Sequence, residues 1–508
     1  MIKAKVTTIA ADYLKKPQGS ALLIPVYEAD SKSNSVYNKV DQVLGQRLSK
    51  KAKHLRFNFK IDETFVLHET EKIGYDSIVV FCIGDKKNFS LPIFQQSLAN
   101  AVKVVRTLRY ESAALVADDL STKSMFDLGR FIARTFYLSQ YDFLKYKSKD
   151  EKEKSIIIAN LFLYTDATQE MTQGLKTGEI EAEGVWLARD LVNEPAINTH
   201  PDDLVAVARE IAKASKGKIE VNVLSEKDCR KLGMGAYLAV AQGSERNPKF
   251  IVLHYKIGST SSKNKICLVG KSITFDSGGL SIKPSKSMET MKLDMAGGAA
   301  VLGVFKVLSN LGNLSNLEVY GVLPACENMP SGRAIRPGDV VTALNGKTIE
   351  ILNTDAEGRL TLADALVYAE KYLKTDKIID LATLTGAIIV ALGPDITGLF
   401  GNNQKLLDSI KAAADSQGEP VWPMPQYAKY LPKIKSDVAD FKNVTGGGFG
   451  GGAITASLFL EQFIDKADWV HLDIAGSAFN EYKPTGIWPK GGTGFAVLTL
   501  VEFLLSQK

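Results

Sequence analysis

Histidine and cysteine are scarce in this chain, and their scarcity excludes several classes of enzyme. Only five histidines occur among 508 residues and no HExxH motif is present, which argues against a histidine zinc protease. The four cysteines lie far apart and form no CxxC pair, so we expect free thiols rather than a disulfide scaffold. Without a GxSxG motif, a serine hydrolase lacks any positive signal.

Long hydrophobic runs are also missing. The most apolar stretch, residues 378–393, contains Asp380 and falls short of the roughly 18 residues that suggest a membrane span. The N-terminal segment has no basic region followed by an apolar core and a cleavage site of small residues, as a secretory signal would. We therefore expect a cytoplasmic protein with no membrane partner.

Charge is distributed unevenly along the chain. The first 150 residues hold 24 Lys and Arg against 16 Asp and Glu, whereas the remainder holds 38 against 41. A basic first domain can mark a nucleic-acid surface, although a solvated lysine-rich face is the commoner cause of such an excess. DNA binding or another regulatory role of this domain, separate or additional, stays open as an alternative.

Length and patterning predict an α/β protein with at least two domains. Short β-like runs alternate with amphipathic stretches from residue 21 to residue 157, and again after residue 200. We predict a smaller N-terminal α/β (macro-like) domain at 1–165, a linker helix at 166–190 and a larger α/β domain at 191–508. The larger domain should hold a central mixed sheet flanked by helices near 202–215, 288–311, 361–373 and 453–466.

One phosphate-binding pattern can be set aside. Gly270-Lys271-Ser272 follows an apolar strand, but Lys265 stands where the first glycine of a GxxxxGK loop belongs. The next segment, ITFDSGG, is unsuited to opening a helix that would aim backbone amides at phosphates. We do not expect the protein to use ATP.

A set of acidic and basic residues in glycine-framed, otherwise apolar segments indicates metal chemistry. If the segment around Asp355 and Glu357 is extended, both side chains point to the same side. Carboxylates converging near an apolar core repel each other and lose hydration. Bound divalent cations would neutralise their charge and so make such a cluster stable. Any one of these acids alone could be a cap or a surface ion pair. The candidates are Lys271, Asp276, Lys283, Asp294, Asp355 and Glu357.

Several segments together resemble the leucyl (cytosol) aminopeptidase family. NTDAEGRL at 353–360 is similar to the signature of that family, and GKSITFDSGG, DLATLTGA and HLDIAGSAF look like further blocks in the family's order. The resemblance implies a metallopeptidase whose catalytic domain is the larger one. It would release N-terminal amino acids, preferably Leu and other bulky apolar residues, from short peptides. A homohexamer is also implied, whereas the first domain matches only in size and α/β character.

The resemblance implies two divalent metal ions, manganese or zinc, in each subunit. One ion would be held by Asp276, Asp355 and Glu357. The second would be held by Lys271, Asp276, Asp294 and Glu357. A lysine ligand must be neutral to donate its lone pair, so metal binding and the pKa of Lys271 would be linked.

Further roles follow from the same resemblance. Lys283 would stabilise the tetrahedral oxyanion, and Arg359 would bind a bicarbonate ion that shuttles a proton, so that catalysis needs no histidine. Ser272 replaces the glycine usual in the family, which suggests local strain or a hydroxyl contact. A catalytically inactive relative is the remaining alternative, and the intact ligand set argues against it. The implied substrate contacts are Met291, Asn353, Thr383 and Leu384.

Overall fold

The computed structural model describes residues 4–28, 34–68, 70–120, 122, 124–165, 168–256, 264–311, 314, 317–446 and 448–507. The chain divides into a first unit of Met1–Ala182 with Tyr482–Pro489, and a second unit of Glu183–Glu481 with Lys490–Lys508. The division falls within the predicted linker helix 166–190. The predicted domain limits stay predictions, and residue 166 lies outside the described residues.

A six-stranded sheet of order β1-β6-β5-β2-β4-β3 organises the first unit. All neighbours pair in parallel except β3, which runs antiparallel to β4 at one edge. Alternate residues of the central strands enter two separate apolar clusters, one on each face, because helices cover both sides. The strands are β1 (Lys5–Ile9), β2 (Ala21–Val26), β3 (Thr64–Leu67), β4 (Ser77–Cys82), β5 (Ser112–Val116) and β6 (Asn160–Tyr164).

Helices of the first unit follow the amphipathic stretches of the sequence, and the last of them continues into the second unit. The α-helices are α1 (Ser35–Val43), α2 (Arg47–Leu55), α3 (Leu91–Thr107), α4 (Met125–Leu138), α5 (Lys149–Lys154) and α6 (Gln169–Asn193), with a 3₁₀ turn at Lys86–Asn88. Helix α6 ends two residues before Pro195, as expected from the restriction that proline places on the residue before it.

A nine-stranded mixed sheet forms the centre of the second unit. Eight strands follow the order β16-β15-β18-β14-β9-β11-β8-β7, and β10 pairs with β11 beside this path. The larger strands are β7 (Ile219–Leu224), β8 (Lys249–Tyr255), β9 (Lys265–Gly270), β10 (Ser272–Asp276), β11 (Glu318–Asn328), β14 (Lys377–Ala382), β15 (Thr397–Gly401) and β18 (Asp468–Asp473). The shorter ones are β12 (Val340–Thr342), β13 (Thr348–Glu350), β16 (Val421–Pro423), β17 (Phe441–Lys442), β19 (Phe479–Asn480) and β20 (Gly491–Gly492).

The helices of the second unit confirm the α/β class. They are α7 (Pro201–Ala214), α8 (Glu226–Leu232), α9 (Gly235–Ala241), α10 (Ser285–Met288), α11 (Ala296–Asn310), α12 (Gly358–Lys371), α13 (Gly386–Leu392), α14 (Gln404–Gln417), α15 (Gly452–Glu461) and α16 (Val497–Ser506). Three further 3₁₀ segments are Ala196–Asn198, Met291–Met295 and Ala428–Ile434. Within the described part of the chain, none of the helices has both the length and the apolar character needed to cross a bilayer.

One helix prediction was wrong. The single helix expected near 288–311 is broken into α10, the 3₁₀ turn and α11. The 3₁₀ turn buries three successive residues, Leu293, Asp294 and Met295. The break therefore carries Asp294 into the interior.

The central strands of the second unit end together at one edge of the sheet. Strands β9, β14 and β18 are parallel neighbours, and β11 is parallel to both β9 and β10. Strand β11 ends at Asn328, and β9, β14 and β18 lead into Lys271, Thr383 and Ile474. Open α/β sheets bind ligands in the crevice outside the carboxyl ends of such strands, so the functional site is expected there.

Candidate metal centre

Lys271 follows β9 directly and lies almost completely buried. Its Nζ lies 2.8 Å from Asp294 Oδ1 and 2.8 Å from Glu357 Oε1, and it donates a hydrogen bond to the Thr383 carbonyl at 3.0 Å. Burial by itself would lower the pKa of Lys271, but the attraction of Asp294 and Glu357 outweighs burial and raises it. The side chain is therefore an ion-paired ammonium here, and it would have to release its proton to bind a metal ion.

Three buried carboxylates lie around this lysine. Asp276, Asp294 and Glu357 each place one oxygen within 4.8 Å of the others. Among the described residues, Asp294 Oδ2 and Glu357 Oε2 have no hydrogen-bond donor. Burial raises the pKa of both Asp276 and Asp294, and the negative charge of Glu357 raises it further. Unpaired carboxylate oxygens in a buried cluster fit a hard divalent cation, which prefers oxygen ligands.

Lys283 stands between Asp276 and Asp355. Its Nζ lies 2.9 Å from Asp276 Oδ2 and 2.6 Å from Asp355 Oδ1. Burial opposes the charge, but the two carboxylates outweigh it and raise the pKa of Lys283. Together with Lys271, this gives two ammonium groups against four carboxylates, so a net negative charge is left over that a divalent cation would neutralise.

The expected extended geometry around Asp355 was wrong. Residues 354 and 355 form a turn, in which Ala356 N–H donates to the Asn353 carbonyl at 3.2 Å, and α12 begins directly after Glu357. Asp355 is half-buried and lies outside the close group of three acids. Because the chain turns, Asp355 contacts Lys283 whereas Glu357 contacts Lys271.

The turn after Asp276 brings Lys283 back to the site. Gly278 has a φ of +86°, which favours glycine, and its N–H donates to Asp276 Oδ1 at 2.9 Å. A Cβ on this residue would lie 2.6 Å from the Ser281 carbonyl oxygen and 2.8 Å from Asp355 Oδ1. The DSGG sequence thus lets the backbone pass close to the acidic residues.

Arg359 occupies the first turn of α12 and is buried. Its Nη1 donates to the Asn443 carbonyl at 2.6 Å, and its Nε has no acceptor among the described residues. Burial lowers the pKa of Arg359 to about 10, partly offset by Glu357 and Asp473. A buried guanidinium with unused donor capacity suits a planar anion.

The four predicted substrate contacts lie around the same edge of the sheet. Thr383 Oγ1 donates to Asp294 Oδ1 at 2.7 Å, and Asn353 Oδ1 accepts from Asp355 N–H at 2.9 Å. Leu384 and Met291 are both half-buried, Met291 at the start of the 3₁₀ turn that carries Asp294. Two of the four residues therefore hold candidate ligands in place, and two present apolar surface.

Asn328 is a member of the site that sequence analysis missed. Its Nδ2 donates to Asp276 Oδ1 at 2.8 Å and to the Thr354 carbonyl at 3.0 Å, and the residue is buried. It joins two segments that lie far apart in the sequence. Its position at the end of β11 was the available signal, since polar residues at the carboxyl ends of parallel strands lie near the ligand crevice.

Ser272, the departure from the family's usual glycine, sits at the start of β10. Its hydroxyl donates to the Gly270 carbonyl at 2.8 Å, and the residue does not have a positive φ. The suggested hydroxyl contact is therefore with the backbone beside Lys271. The strand that begins here also confirms that no helix follows Lys271 as a phosphate loop would require.

Comparison with known proteins covers almost the whole chain. The catalytic domain of the cytosol aminopeptidase family matches residues 186–501, and the N-terminal domain of that family matches residues 23–150. A probable cytosol aminopeptidase of Gloeobacter violaceus is 39% identical over 501 residues, covering 97% of this chain and 98% of that protein. One from Aquifex aeolicus is 42% identical over 497 residues, covering 97% of each.

Solved structures also resemble this chain over almost its whole length. A mutant of tomato leucine aminopeptidase has a TM-score of 0.89 at 38% identity, covering 99% of this chain and 97% of that chain. A bottromycin maturation enzyme in complex with Mn has a TM-score of 0.82 at 31% identity, covering 96% of this chain and 100% of that chain.

Proposed function

This chain belongs to the cytosol aminopeptidase family, and from that premise we propose that it releases N-terminal amino acids from short peptides, preferably Leu and other bulky apolar residues. Membership makes it a metal-dependent peptidase and hence a hydrolase. The proposal rests on the buried group of Asp276, Asp294 and Glu357. One oxygen of Asp294 and one of Glu357 are unpaired among the described residues, and Lys271 and Lys283 contact members of the group.

Two divalent ions, manganese or zinc, are the proposed cofactors. Asp276, Asp355 and Glu357 would hold one of them. Lys271, Asp276, Asp294 and Glu357 would hold the other. Bound there, the ions would supply an activated water, polarise the scissile carbonyl and anchor the free α-amino group of the peptide.

The chain's own cations supply the rest of the proposed chemistry. Lys283 carries a charge that its two carboxylate neighbours maintain, so it can stabilise the negative oxygen that develops on the peptide carbonyl. Arg359 would hold a bicarbonate ion, which supplies proton transfer when bound. Its unused Nε and its burial support this assignment, and no histidine is then needed for proton transfer.

The substrate side chain would lie against the apolar surface near the metal ligands. Leu384 and Met291 present half-buried apolar groups, while Thr383 and Asn353 bond to acidic residues. An apolar pocket gains free energy from each buried methylene group, so larger N-terminal side chains should be preferred over alanine.

Hydrolysis of leucine p-nitroanilide by the purified full-length chain tests the proposal. The protein is stripped of metal, reloaded with manganese or zinc, and assayed with its metal content measured in parallel. We expect activity in at least one metal, and loss of both activity and bound metal in Asp355→Asn. A folded, metal-loaded protein that fails to turn over the substrate in either metal would refute the proposal.

DNA binding by the basic first domain is the second candidate, and it rests on the excess of Lys and Arg in the first 150 residues. Affinity from phosphate contacts falls steeply with salt. A gel shift with duplex DNA at low salt therefore decides it, because absence of binding there removes this candidate. The cytoplasmic location and the homohexamer stay predictions as well.

A further inference from the structure

The turn that follows β14, residues 383–385, is held from two sides. On one side, the Thr383 carbonyl accepts a hydrogen bond from Lys271, and the Thr383 hydroxyl donates to Asp294. On the other side, the next two residues bond to Asp473 at the end of β18. Leu384 is half-buried, follows Thr383 directly and takes part in the second set of contacts through its own N–H.

Asp473 is only 1% exposed and receives four hydrogen bonds. Its Oδ1 accepts from Leu384 N–H at 3.1 Å, from Thr385 N–H at 3.3 Å and from Ala475 N–H at 3.3 Å. Its Oδ2 accepts from the Thr385 hydroxyl at 2.6 Å. One carboxylate thus fixes the chain where it leaves two neighbouring strands, β14 and β18.

The hydrogen bonds continue into α13. Thr385 Oγ1 accepts from Ile388 N–H at 3.2 Å and so caps the helix that begins after it. Ile388 is packed in an apolar cluster with Phe400 and Ala453, against which Ala475 also packs. Asp473 therefore holds both the turn and the apolar surface next to it.

A second buried acid on the same sheet, Asp380, has partners of a different kind. Asp380 Oδ1 lies 2.6 Å from His471 Nδ1, and its Oδ2 accepts from Trp469 Nε1 at 2.6 Å. Both partners of Asp380 are side chains of β18. Asp473 instead receives backbone N–H groups from the segment that carries Leu384.

We propose that Asp473 is a positioning residue that sets the selectivity for the N-terminal side chain of the substrate by fixing Leu384. This inference rests on the proposed aminopeptidase function. Without the carboxylate, Leu384 N–H and Thr385 N–H lose their acceptor, whereas the contacts of Thr383 to Lys271 and Asp294 remain. Leu384 can then move while the metal ligands stay in place. Loss of Asp473 should therefore change the selectivity for the N-terminal side chain more than it changes the affinity for metal ions.

Two substitutions of Asp473 and one matched control test this. Asp473→Ala removes all four hydrogen bonds, whereas Asp473→Asn keeps one oxygen for the N–H groups and an amide that can donate to Thr385 Oγ1. Glu419→Gln is the control. Glu419 is also 1% exposed and accepts from Ala496 N–H, Thr499 N–H and the Thr499 hydroxyl, but at the start of α16.

Amide hydrogen exchange measures how firmly the turn 383–385 is held, and it does not require an active enzyme. In Asp473→Ala, the amides of Leu384, Thr385 and Ala475 should exchange faster than in the wild type. The same amides should keep their wild-type rates in Glu419→Gln. Unchanged exchange in Asp473→Ala would overturn the anchoring role.

The ratio of kcat/KM for leucine and alanine p-nitroanilides reports the consequence for substrates. We expect Asp473→Ala to lower this ratio by about tenfold, with Asp473→Asn within about threefold of the wild type and full metal content in both. If Asp473→Ala does not fold, Thr385→Val is the substitute, because it removes the 2.6 Å contact to Asp473 together with the cap on Ile388 N–H but leaves the backbone N–H contacts to Asp473. It should lower the ratio by a smaller factor.

The outcomes separate the two claims. A metal-loaded wild type that hydrolyses neither substrate overturns the proposed function, and the selectivity claim with it. An active wild type with an unchanged ratio in the tested variant overturns this inference alone.

Discussion

Lys283 joins two carboxylates that reach it from different segments of the chain. Asp276 ends β10, and Asp355 lies in the turn before α12. The ammonium group is partly accessible, with 14% of its side chain exposed, whereas the Lys271 side chain is 4% exposed. The more accessible Lys283 is therefore better placed to contact a substrate. Lys271 is better placed to contact the buried carboxylates and the proposed metal ion.

Replacing Lys283 should separate catalysis from metal binding. We expect Lys283→Ala to lower kcat by about 100-fold to 1,000-fold, because a fixed charge facing the oxyanion is lost. Metal affinity should be retained, since Asp276 and Asp355 then face one less competing cation. Calorimetric titration of the metal-free protein measures this, with the exposed Lys286→Ala as the control. Full activity in Lys283→Ala would rule out the oxyanion role.

Asn328 should matter for the metal ion although it is not a proposed ligand. Asn328→Ala removes the donor that orients Asp276 Oδ1, and we expect metal affinity to fall by about 10-fold to 100-fold. Competition with a chromogenic chelator gives the affinity. Asn403→Ala is the matched control, because Asn403 Nδ2 also donates to an aspartate, Asp468, in a contact of 2.7 Å away from the acidic cluster. Equal affinities in both variants would contradict the prediction.

At the scale of elements, β14 and β18 are linked by a buried ion pair as well as by their backbone ladder. His471 faces Asp380 across the two strands, and both side chains are almost fully buried. Burial alone would lower the pKa of His471, but the attraction of Asp380 outweighs it and raises the pKa above 6.5. Just above pH 6.5, His471 therefore keeps its proton in the native protein, whereas it releases that proton in the unfolded chain.

This linkage predicts how stability changes with pH. The contribution of the pair is complete below about pH 6.5, the value for the unfolded chain, and it is lost as pH rises through the higher native pKa. The difference in unfolding free energy between the wild type and His471→Gln should accordingly be largest below pH 6.5 and shrink above it. Urea denaturation across pH 5–9 measures this difference. In an Asp380→Asn background the attraction of Asp380 no longer outweighs burial, so the difference should fall, rather than rise, as pH drops below 6.5. A constant difference in the wild-type background would refute the linkage.

For the whole molecule, the metal ions should contribute to stability as well as to catalysis. The acidic cluster is partly neutralised by two lysines, so ions that bind only the folded protein raise its free energy of unfolding. At a metal concentration 100 times Kd this amounts to about 2.7 kcal/mol for each site. Removing metal with a chelator should lower Tm, as differential scanning calorimetry would show, and Asp355→Asn should respond less. Identical Tm values with and without metal would argue against ions at this site.

The sequence and the structure agree most closely where the pattern is local. Apolar runs predicted the main strands of both sheets, and the α/β class is confirmed, because alternating buried elements leave a periodic trace in the sequence. The family is confirmed too, since the motifs that carry it are short and specific. The break of the 288–311 helix and the turn at Asp355 escaped prediction, because the contacts made there, Asp294 with Lys271 and Asp355 with Lys283, join separate segments of the chain.

The sequence by itself determined the α/β class and the family, both of which are encoded within segments of a few residues. It also gave the candidate site residues, whose roles stay predictions. Only the tertiary structure decided which partners meet. Lys271 and Glu357, or Leu384 and Asp473, lie more than 80 residues apart and are joined by hydrogen bonds or ion pairs of about 3 Å. Such contacts depend on the order and register of the strands that end at one edge of the sheet. The sequence of a single segment does not specify which other segments lie beside it.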